Sequence, residues 1–141
     1  MTTTDKTSCR ILSSLLQAHG VEEVVISPGS RNTPIILALD ANKQIRKRVV
    51  IDERVAAFVA LGIAQTSSRP VAIVCTSGTA LLNYAPAVAE AYYQGLPLIV
   101  ISADRPMQWI DQDDSQTIRQ HDALSNIVKK SYDIPEFSAD D

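Results

Sequence analysis

Apolar positions along the chain alternate between two patterns. Apolar residues spaced three or four positions apart predict amphipathic helices, and short continuous apolar runs predict strands buried on both faces of a parallel sheet. The first pattern predicts helices over residues 5–19, 33–39, 53–64 and 80–93. The second predicts strands over residues 23–26, 48–51, 71–75 and 98–101. This alternation predicts an α/β fold of three layers, α/β/α, with a mainly parallel central sheet.

The chain beyond the fourth strand shows weaker patterns. A polar loop is predicted as far as Gln116, followed by a helix near residues 122–129 and a last strand around residues 131–134. A chain of 141 residues, 45% of them hydrophobic, is long enough for one globular domain. We expect residues 1–134 to form that domain, and residues 135–141 to begin a linker to domains outside this chain.

Charge and composition exclude several classes of function. The formal net charge is −3, and no run of Lys and Arg is interleaved with aromatic residues, so the sequence predicts no nucleic-acid binding. It also predicts no secretory signal and no membrane insertion. The two cysteines, Cys9 and Cys75, lie 66 positions apart without the spacing of a metal site. We expect both to be reduced thiols, which is typical of a cytoplasmic protein.

Four polar segments follow the predicted strands. They are Ser-Pro-Gly-Ser-Arg at residues 27–31, Asp-Glu at 52–53, Thr-Ser-Gly-Thr at 76–79 and Ala-Asp-Arg-Pro at 103–106. The carboxyl ends of parallel strands share one edge of a sheet, and open α/β sheets bind their ligands there. We therefore expect these segments to converge on one site. Taken alone, the Asp-Glu pair is also what caps a helix and complements its dipole.

The chemistry of these segments suits an anionic ligand. The first and third are strand-to-helix turns that offer backbone N–H groups and hydroxyls to a phosphate or a carboxylate. Neither contains a GxGxxG or GxxxxGK fingerprint, and Gly29 and Gly78 could serve only to make tight turns. Arg31 and Arg105 match the geometry of a carboxylate, although single arginines at such positions are more often surface or ion-pairing residues.

Several of these segments occur in the same order in a known enzyme family. A glutamate at a helix start, a Thr-Ser-Gly turn after a buried strand and a later Pro-led apolar strand are present at Glu53, residues 76–78 and residues 97–101. In these features the chain resembles the pyrimidine-binding domain of thiamine-diphosphate enzymes of the acetolactate synthase and pyruvate decarboxylase type. Within that group, the segments at residues 27–34, 52–54 and 103–106 are similar to the SEPHCHC synthase family of menaquinone biosynthesis.

The resemblance extends from the first helix to about Gln120, and it implies a cofactor and a reaction. The cofactor is thiamine diphosphate with Mg²⁺ or Mn²⁺, and the metal ligands are expected in a second domain outside this chain. The implied reaction decarboxylates 2-oxoglutarate and adds the resulting succinyl-semialdehyde unit to isochorismate. The resemblance further implies a homodimer or a dimer of dimers for the full-length protein, and we expect this chain alone to be inactive.

The resemblance also implies roles for individual residues. Glu53 is the implied catalytic acid, and the implied contacts to the cofactor are Glu53, Ser77 and Gly78. The implied substrate-binding residues are Ser30, Arg31, Arg105, Ser115 and Gln116. The family usually has Asn where this chain has Ser115, and a hydroxyl has a shorter reach than an amide. No metal ligand is implied within this chain.

Three alternatives remain at this level. The first is another thiamine-diphosphate decarboxylase or synthase, such as one that acts on pyruvate. The second is a non-catalytic α/β module for dimerisation or ligand sensing, in which replacement of Glu53 would leave activity intact. The third is a nucleotide-binding Rossmann-like domain, which the missing glycine fingerprint disfavours.

Overall fold

Helices and strands alternate along the chain in the computed structural model, which describes residues 3–134. Within that range the strands are β1 (Glu23–Ile26), β2 (Arg46–Val49), β3 (Val71–Cys75) and β4 (Leu98–Ser102). The helices are α1 (Thr7–Ala18), α2 (Thr33–Ala41), α3 (Glu53–Ser67), α4 (Thr79–Leu82) and α5 (Ala85–Gln94). The predicted linker at residues 135–141 lies outside the described range. No helix in the described part of the chain is long and apolar enough to cross a membrane.

The four strands form one parallel sheet in the order β2-β1-β3-β4. Glu23 of β1 pairs with Arg46 on one side and with Val71 on the other. Parallel neighbours need crossover connections, and the helices between the strands provide them. The predicted α/β fold with a mainly parallel central sheet is confirmed.

Two apolar clusters, one on each face of the sheet, hold the helices in place. On one face, residues such as Val24 and Val74 pack with the apolar sides of α1 and α2. On the other face, Val25 and Ile73 pack with α3 and α5. Successive strand residues point to opposite faces, so a strand buried on both faces reads as a continuous apolar run. Both faces are covered by helices, which gives the three predicted layers.

The second strand is displaced from its predicted position. It spans Arg46–Val49 instead of residues 48–51, so the apolar run that suggested it lies partly in the following loop. Strand β2 is at an edge of the sheet, where charged side chains are tolerated. Glu23 of β1 accepts hydrogen bonds from Arg46 at 2.7 Å and from Arg48 at 2.6 Å. These ion pairs are compatible with the observed register, and Ile51 is left 81% exposed.

The predicted helix over residues 80–93 is divided into α4 and α5. Pro86 lies in the first turn of α5, and α4 ends at Leu82, four residues before it. A proline lacks the backbone N–H that a continuous helix would use, and its ring clashes with the carbonyl four residues earlier. The break places the ring of Tyr84, between the two helices, fully inside the core.

Predictions for the region after β3 were wrong in three respects. Strand β4 is at a sheet edge and only Ile101 among its residues is buried, so β4 is not covered like β3. The helix predicted near residues 122–129 is one 3-10 turn, Ser125–Ile127, because Asp122 has a left-handed φ of 55° and Val128 is extended, so neither residue can belong to a helix. Residues 131–134 form no strand in the described structure, since all four are exposed and offer no face to a sheet.

Candidate functional site

The carboxyl ends of the four strands lie at one edge of the sheet, and the four polar segments follow them there. The order of the strands reverses between β1 and β3, because β2 lies on one side of β1 and β3 lies on the other. Open α/β sheets bind ligands at such a switch point. The segments after β1 and β3 therefore form the centre of the candidate site.

Asn32 holds the segment after β1 in shape from within. Its side chain is fully buried, its Oδ1 accepts a hydrogen bond from the Gly29 backbone at 2.8 Å, and its Nδ2 donates to the Ser27 carbonyl at 2.9 Å. Asn32 is also the N-cap residue of α2, but its side chain makes no cap hydrogen bond. An Asn that follows a Pro-Gly turn commonly bonds to nearby backbone, and that signal could have indicated this role.

Gly29 allows the segments after β1 and β3 to approach closely. A Cβ atom at Gly29 would lie 2.6 Å from the Cβ atom of Thr76. No real side chain fits at that distance, so a glycine is needed here for close packing of two backbones. The two segments are in direct contact across the switch point as a result.

Gln116 connects the segment after β3 to the loop that follows β4. Its Nε2 donates to the Ser77 carbonyl at 2.7 Å, and its own carbonyl accepts from the Thr79 backbone at 3.1 Å. Gly78 has a φ of 76°, and a Cβ atom there would lie 2.0 Å from the Gln116 carbonyl oxygen. The Ser77 hydroxyl is buried and has no hydrogen-bond partner within residues 3–134.

Gln120 is a further organising residue that the sequence did not reveal. Its side chain is buried, its Oε1 accepts from the Gly78 backbone at 2.7 Å, and its Nε2 donates to the Ser102 hydroxyl at 2.8 Å and to the Ala103 carbonyl at 2.7 Å. These contacts join the ends of β3 and β4. The partners are 17 to 42 positions away in sequence, so no local pattern marks this residue.

A polar pocket of about 500 Å³ opens among these loops. All five residues predicted to bind substrate line it, namely Ser30, Arg31, Arg105, Ser115 and Gln116. The lining is completed by Pro28, Gly29, Thr76 and Asp114. The structure thus brings together three separate segments of the chain, and their side chains supply two cationic groups, several hydrogen-bond donors and one carboxylate. A pocket of this composition can bind an anion.

Arg105 is the buried cation of this pocket, with a side chain only 5% exposed. Its Nη1 forms an ion pair with Asp114, and its Nη2 donates to the Ser115 carbonyl at 2.6 Å. Its Nε is buried and has no partner among the described residues. Asp104 accepts from the Arg105 backbone at 2.7 Å, and burial raises the pKa of its carboxyl group.

Glu53 is half-buried at the start of α3 and does not line the polar pocket. Its neighbour Asp52 caps the helix, because Asp52 Oδ1 accepts from the Val55 backbone at 2.9 Å. The sequence left open that both acids cap the helix. Asp52 alone makes the cap hydrogen bond, and the Glu53 carboxylate stays available for other contacts.

The charge of Glu53 affects the pKa values of two buried groups. Burial raises the pKa of the Cys75 thiol to about 12, and the Glu53 carboxylate adds to this rise. Burial likewise raises the pKa of the Tyr84 hydroxyl, with a smaller contribution from the same carboxylate. Both groups stay neutral at physiological pH. The charge of the Glu53 carboxylate thus acts on two groups of the buried core.

Ser77 and Gly78 are linked to the pocket through Gln116, whereas Glu53 is separate from it. No group of three His, Cys, Asp or Glu side chains that could hold a metal ion occurs in residues 3–134. His121 is exposed and contacts Asp122 and Asp133, outside the pocket. The candidate site therefore has a polar pocket with two cationic groups, and a half-buried acid, Glu53, that lies outside this pocket.

Comparisons with known proteins agree with the resemblance seen in the sequence. The chain is 52% identical over 125 residues to a 2-succinyl-5-enolpyruvyl-6-hydroxy-3-cyclohexene-1-carboxylate synthase of Porphyromonas gingivalis, an alignment that covers 89% of this chain and 22% of that relative. It is 60% identical over 119 residues to the enzyme of the same name from Desulfotalea psychrophila, covering 84% of this chain and 22% of the relative. The relative of the same name from Bacteroides fragilis is 51% identical over 137 residues, an alignment that covers 97% of this chain and 25% of that relative.

The chain thus spans about a quarter of the length of the curated relatives it matches. Residues 6–125 match the family described as thiamine pyrophosphate enzyme, N-terminal TPP binding domain. That range contains all four strands, all five helices and every residue of the polar pocket. The chain therefore belongs to the family of N-terminal TPP-binding domains of thiamine pyrophosphate enzymes.

Proposed function

We propose that this chain is the N-terminal, pyrimidine-binding part of a longer synthase that depends on thiamine diphosphate. The complete protein would decarboxylate 2-oxoglutarate and add the succinyl-semialdehyde unit to isochorismate in menaquinone biosynthesis. Relatives with about half of their aligned residues identical to this chain carry the name of that synthase. The observation that carries the proposal is the polar pocket, in which all five expected substrate-binding residues come together.

The residues at the sheet edge fit a pyrimidine ring. Glu53 has a carboxyl group that is not used in capping and whose charge acts on the buried Cys75 and Tyr84 side chains. Ser77 has a buried hydroxyl without a partner in the described structure, which a ligand atom could satisfy. A ring with nitrogen atoms at its edge needs such a proton donor and such a hydrogen-bonding hydroxyl, so the site and the cofactor are compatible.

When bound, thiamine diphosphate supplies the nucleophilic carbon and the electron sink that allow a 2-oxo acid to lose carbon dioxide. Glu53 would hold a proton at its carboxyl group and exchange it with a pyrimidine nitrogen. Ser77 and Gly78 would border the pyrimidine from the segment after β3. Gln120 keeps this segment in position through its bond to the Gly78 backbone.

The pocket side chains would bind the carboxylates of the two substrates. Arg31 and Arg105 offer guanidinium groups, which suit carboxylates better than neutral donors do. Ser30 and Gln116 add neutral hydrogen-bond donors. Ser115 contacts Arg105 through its backbone carbonyl, which explains how a Ser can replace the usual Asn without loss of that contact.

Association and metal binding complete the proposal. Helix α3 exposes Val55, Phe58 and Val59 beside Arg54 in an apolar depression, which supports a homodimer or a dimer of dimers in the complete protein. Mg²⁺ or Mn²⁺ would be bound by the part of the synthase beyond this chain, in a protein that acts in the cytoplasm. Sedimentation of the complete protein with Phe58→Glu tests the interface, with Gln65→Glu on the same helix as the control.

The role of Glu53 is tested by Glu53→Gln in the complete protein. We expect product formation from 2-oxoglutarate and isochorismate to fall by about 10² to 10⁴-fold, since a positioned acid or base contributes about that much. Carbon dioxide release and product formation are measured in parallel, and calorimetry follows cofactor binding. The control is Glu90→Gln, which removes an exposed helix carboxylate far in sequence from the site.

Retention of full activity in Glu53→Gln would favour the non-catalytic module instead. Turnover of pyruvate in preference to 2-oxoglutarate would favour another decarboxylase of the same family. The two cationic residues of the pocket predict the opposite preference, because 2-oxoglutarate carries a second carboxylate that pyruvate lacks.

A further inference from the structure

Asp114 places a carboxylate inside the pocket that we propose for anionic substrates. It lines the polar pocket together with Arg31 and Arg105, and it forms an ion pair with Nη1 of Arg105. The Arg31 side chain makes no hydrogen bond or ion pair within residues 3–134. One of the two cations in the pocket is therefore already neutralised by the chain itself, and the other is not.

The pairing of Arg105 with Asp114 is incomplete. The Arg105 side chain is 5% exposed and stays anchored through Nη2, which donates to the Ser115 carbonyl at 2.6 Å. Its Nε is buried without a partner in the described structure. The Asp114 side chain, in contrast, is 39% exposed and reaches Arg105 from the rim. A carboxylate from a ligand can thus compete for the same guanidinium while Arg105 remains in place.

The backbone around Asp114 is not held by regular structure. Asp111, Asp113 and Gln116 adopt left-handed φ values of 62°, 54° and 53°, which residues other than glycine seldom do. Asp114 itself does not, so its replacement leaves the backbone conformation available. Movement of its side chain away from Arg105 breaks none of the hydrogen bonds of the sheet.

We propose that Asp114 is an internal competitor for the carboxylate site at Arg105, and that it lowers the affinity of the pocket for any ligand whose carboxylate binds there. In the ligand-free chain it occupies Arg105. A ligand with one carboxylate can bind at Arg31 but must displace Asp114 to gain Arg105. A dicarboxylate gains both arginines at once, which compensates for the lost Asp114 pair. The inference rests on the proposed function only for the identity of the natural ligand.

Succinate binding by the complete protein tests this role without turnover, because succinate is a dicarboxylate with no 2-oxo group. In Asp114→Asn we expect the Kd for succinate, measured by calorimetry, to fall about fivefold to tenfold as Arg105 is released. The Kd for acetate should fall by no more than this factor, because a monocarboxylate can already bind at Arg31 without displacing Asp114. The preference for succinate over acetate should therefore not shrink.

Asp113→Asn is the matched control. It removes the same charge from the same loop, at a residue that makes no ion pair within residues 3–134, and Asn tolerates a left-handed φ. We expect its Kd for succinate to stay within about twofold of the wild type, as for an exposed charge that makes no ion pair with the pocket. Asp114→Ala is measured as well, because it removes any hydrogen bond that the new amide makes to Arg105.

Weaker succinate binding in both Asp114 variants would overturn the inference, since the carboxylate would then position Arg105 for the ligand. Unchanged binding in both variants, or no measurable binding in any protein, would overturn it too. Failure of the proposed function has a separate signature: succinate binding would tighten as expected, but the wild-type protein would not convert 2-oxoglutarate and isochorismate.

Discussion

Two buried side-chain amides determine how the site presents its exposed residues. Asn32 uses both the oxygen and the nitrogen of its amide in hydrogen bonds within its own segment, and Gln120 uses both in hydrogen bonds that join the ends of β3 and β4. Loss of one such partner in a buried position costs about 1–3 kcal/mol. The loops are therefore fixed to the sheet, and the exposed Ser30 and Arg31 extend from a rigid support.

At the same scale, the Cys75 thiol is expected to be inert in the folded chain. Burial raises its pKa to about 12, and only the thiolate is an effective nucleophile. In a Cys9→Ser background, iodoacetamide at pH 8 should leave Cys75 unmodified in buffer and should alkylate it in denaturant, as measured by mass spectrometry. Rapid alkylation in buffer would show that this part of the core is open to solvent.

The raised pKa of the Cys75 thiol also predicts how the stability of the fold changes with pH. A thiol whose pKa is raised on folding contributes stability that is complete below its unfolded pKa of about 8.5. That contribution is lost as the pH rises toward about 12, where the folded thiol ionises. Cys75→Ser removes this pH dependence, so the slopes of the two alkaline stability curves should differ.

At the scale of elements, the turn from β3 to α4 depends on one glycine. Gly78 combines a φ of 76° with a contact in which any Cβ atom would meet the Gln116 carbonyl oxygen. The turn therefore connects two elements and also sets how closely the loop after β4 approaches them. A side chain at this position has to displace backbone, which is costlier than displacing a flexible side chain.

Gly78→Ala should lower the free energy of unfolding by about 2–5 kcal/mol, from backbone strain together with overpacking. Gly62→Ala is the matched control, because Gly62 lies within α3 and a Cβ atom there meets nothing within 4 Å. That control should raise the free energy of unfolding by about 0.5–1 kcal/mol. Urea denaturation followed by circular dichroism measures both, and equal effects would contradict this assignment of the turn.

The sequence alone correctly predicted the strands that are buried on both faces. Strands β1 and β3 are apolar on both faces and were predicted at their observed residues. Strand β2 was misplaced, since none of its residues is buried and its charged side chains, which pair with Glu23, are not recorded by the apolar pattern. Pro86 indicates a break between two helices, but the helical periodicity around it led to the prediction of one continuous helix.

The site was predictable to a similar extent. The resemblance to a known family identified the five pocket residues, and three of them, Ser30, Arg31 and Arg105, also lie in polar segments that follow parallel strands. The contribution of Asp114 was not predicted, since its partner Arg105 is nine positions away across an irregular loop. Long-range partners of this kind depend on loop geometry, for which the hydrophobic pattern holds no information.

At the scale of the whole molecule, one histidine connects the irregular end of the described chain to the site. His121 follows Gln120 directly, and its Nδ1 lies 2.6 Å from a carboxylate oxygen of Asp133. The hydrogen bond to Asp133 raises the pKa of His121, and the charges of Asp122 and Asp133 add to the rise. Residues 131–134 are therefore held more firmly when the imidazole is charged.

Asp133→Asn should lower the pKa of His121, as measured by a proton NMR titration in a His19→Gln background that leaves one imidazole signal. The sign follows from the raised pKa in the folded state: the contact stabilises fully below the unfolded pKa of about 6.5, and the effect is lost as pH rises through the folded value. Asp113→Asn, with the same loss of charge elsewhere, should change the titration little. An unchanged midpoint in Asp133→Asn would contradict the contact.

The two edges of the sheet differ in how they would behave in concentrated solution. Strand β2 carries Arg46, Lys47 and Arg48, and such charges discourage pairing with strands of other molecules. Strand β4 reads Leu-Ile-Val-Ile-Ser, without a charge or a proline, and no other strand within residues 3–134 pairs with its outer side. An edge of this kind is a template for intermolecular strand addition. Recombinant production of this chain by itself would therefore tend toward inclusion bodies, with β4 as the seed.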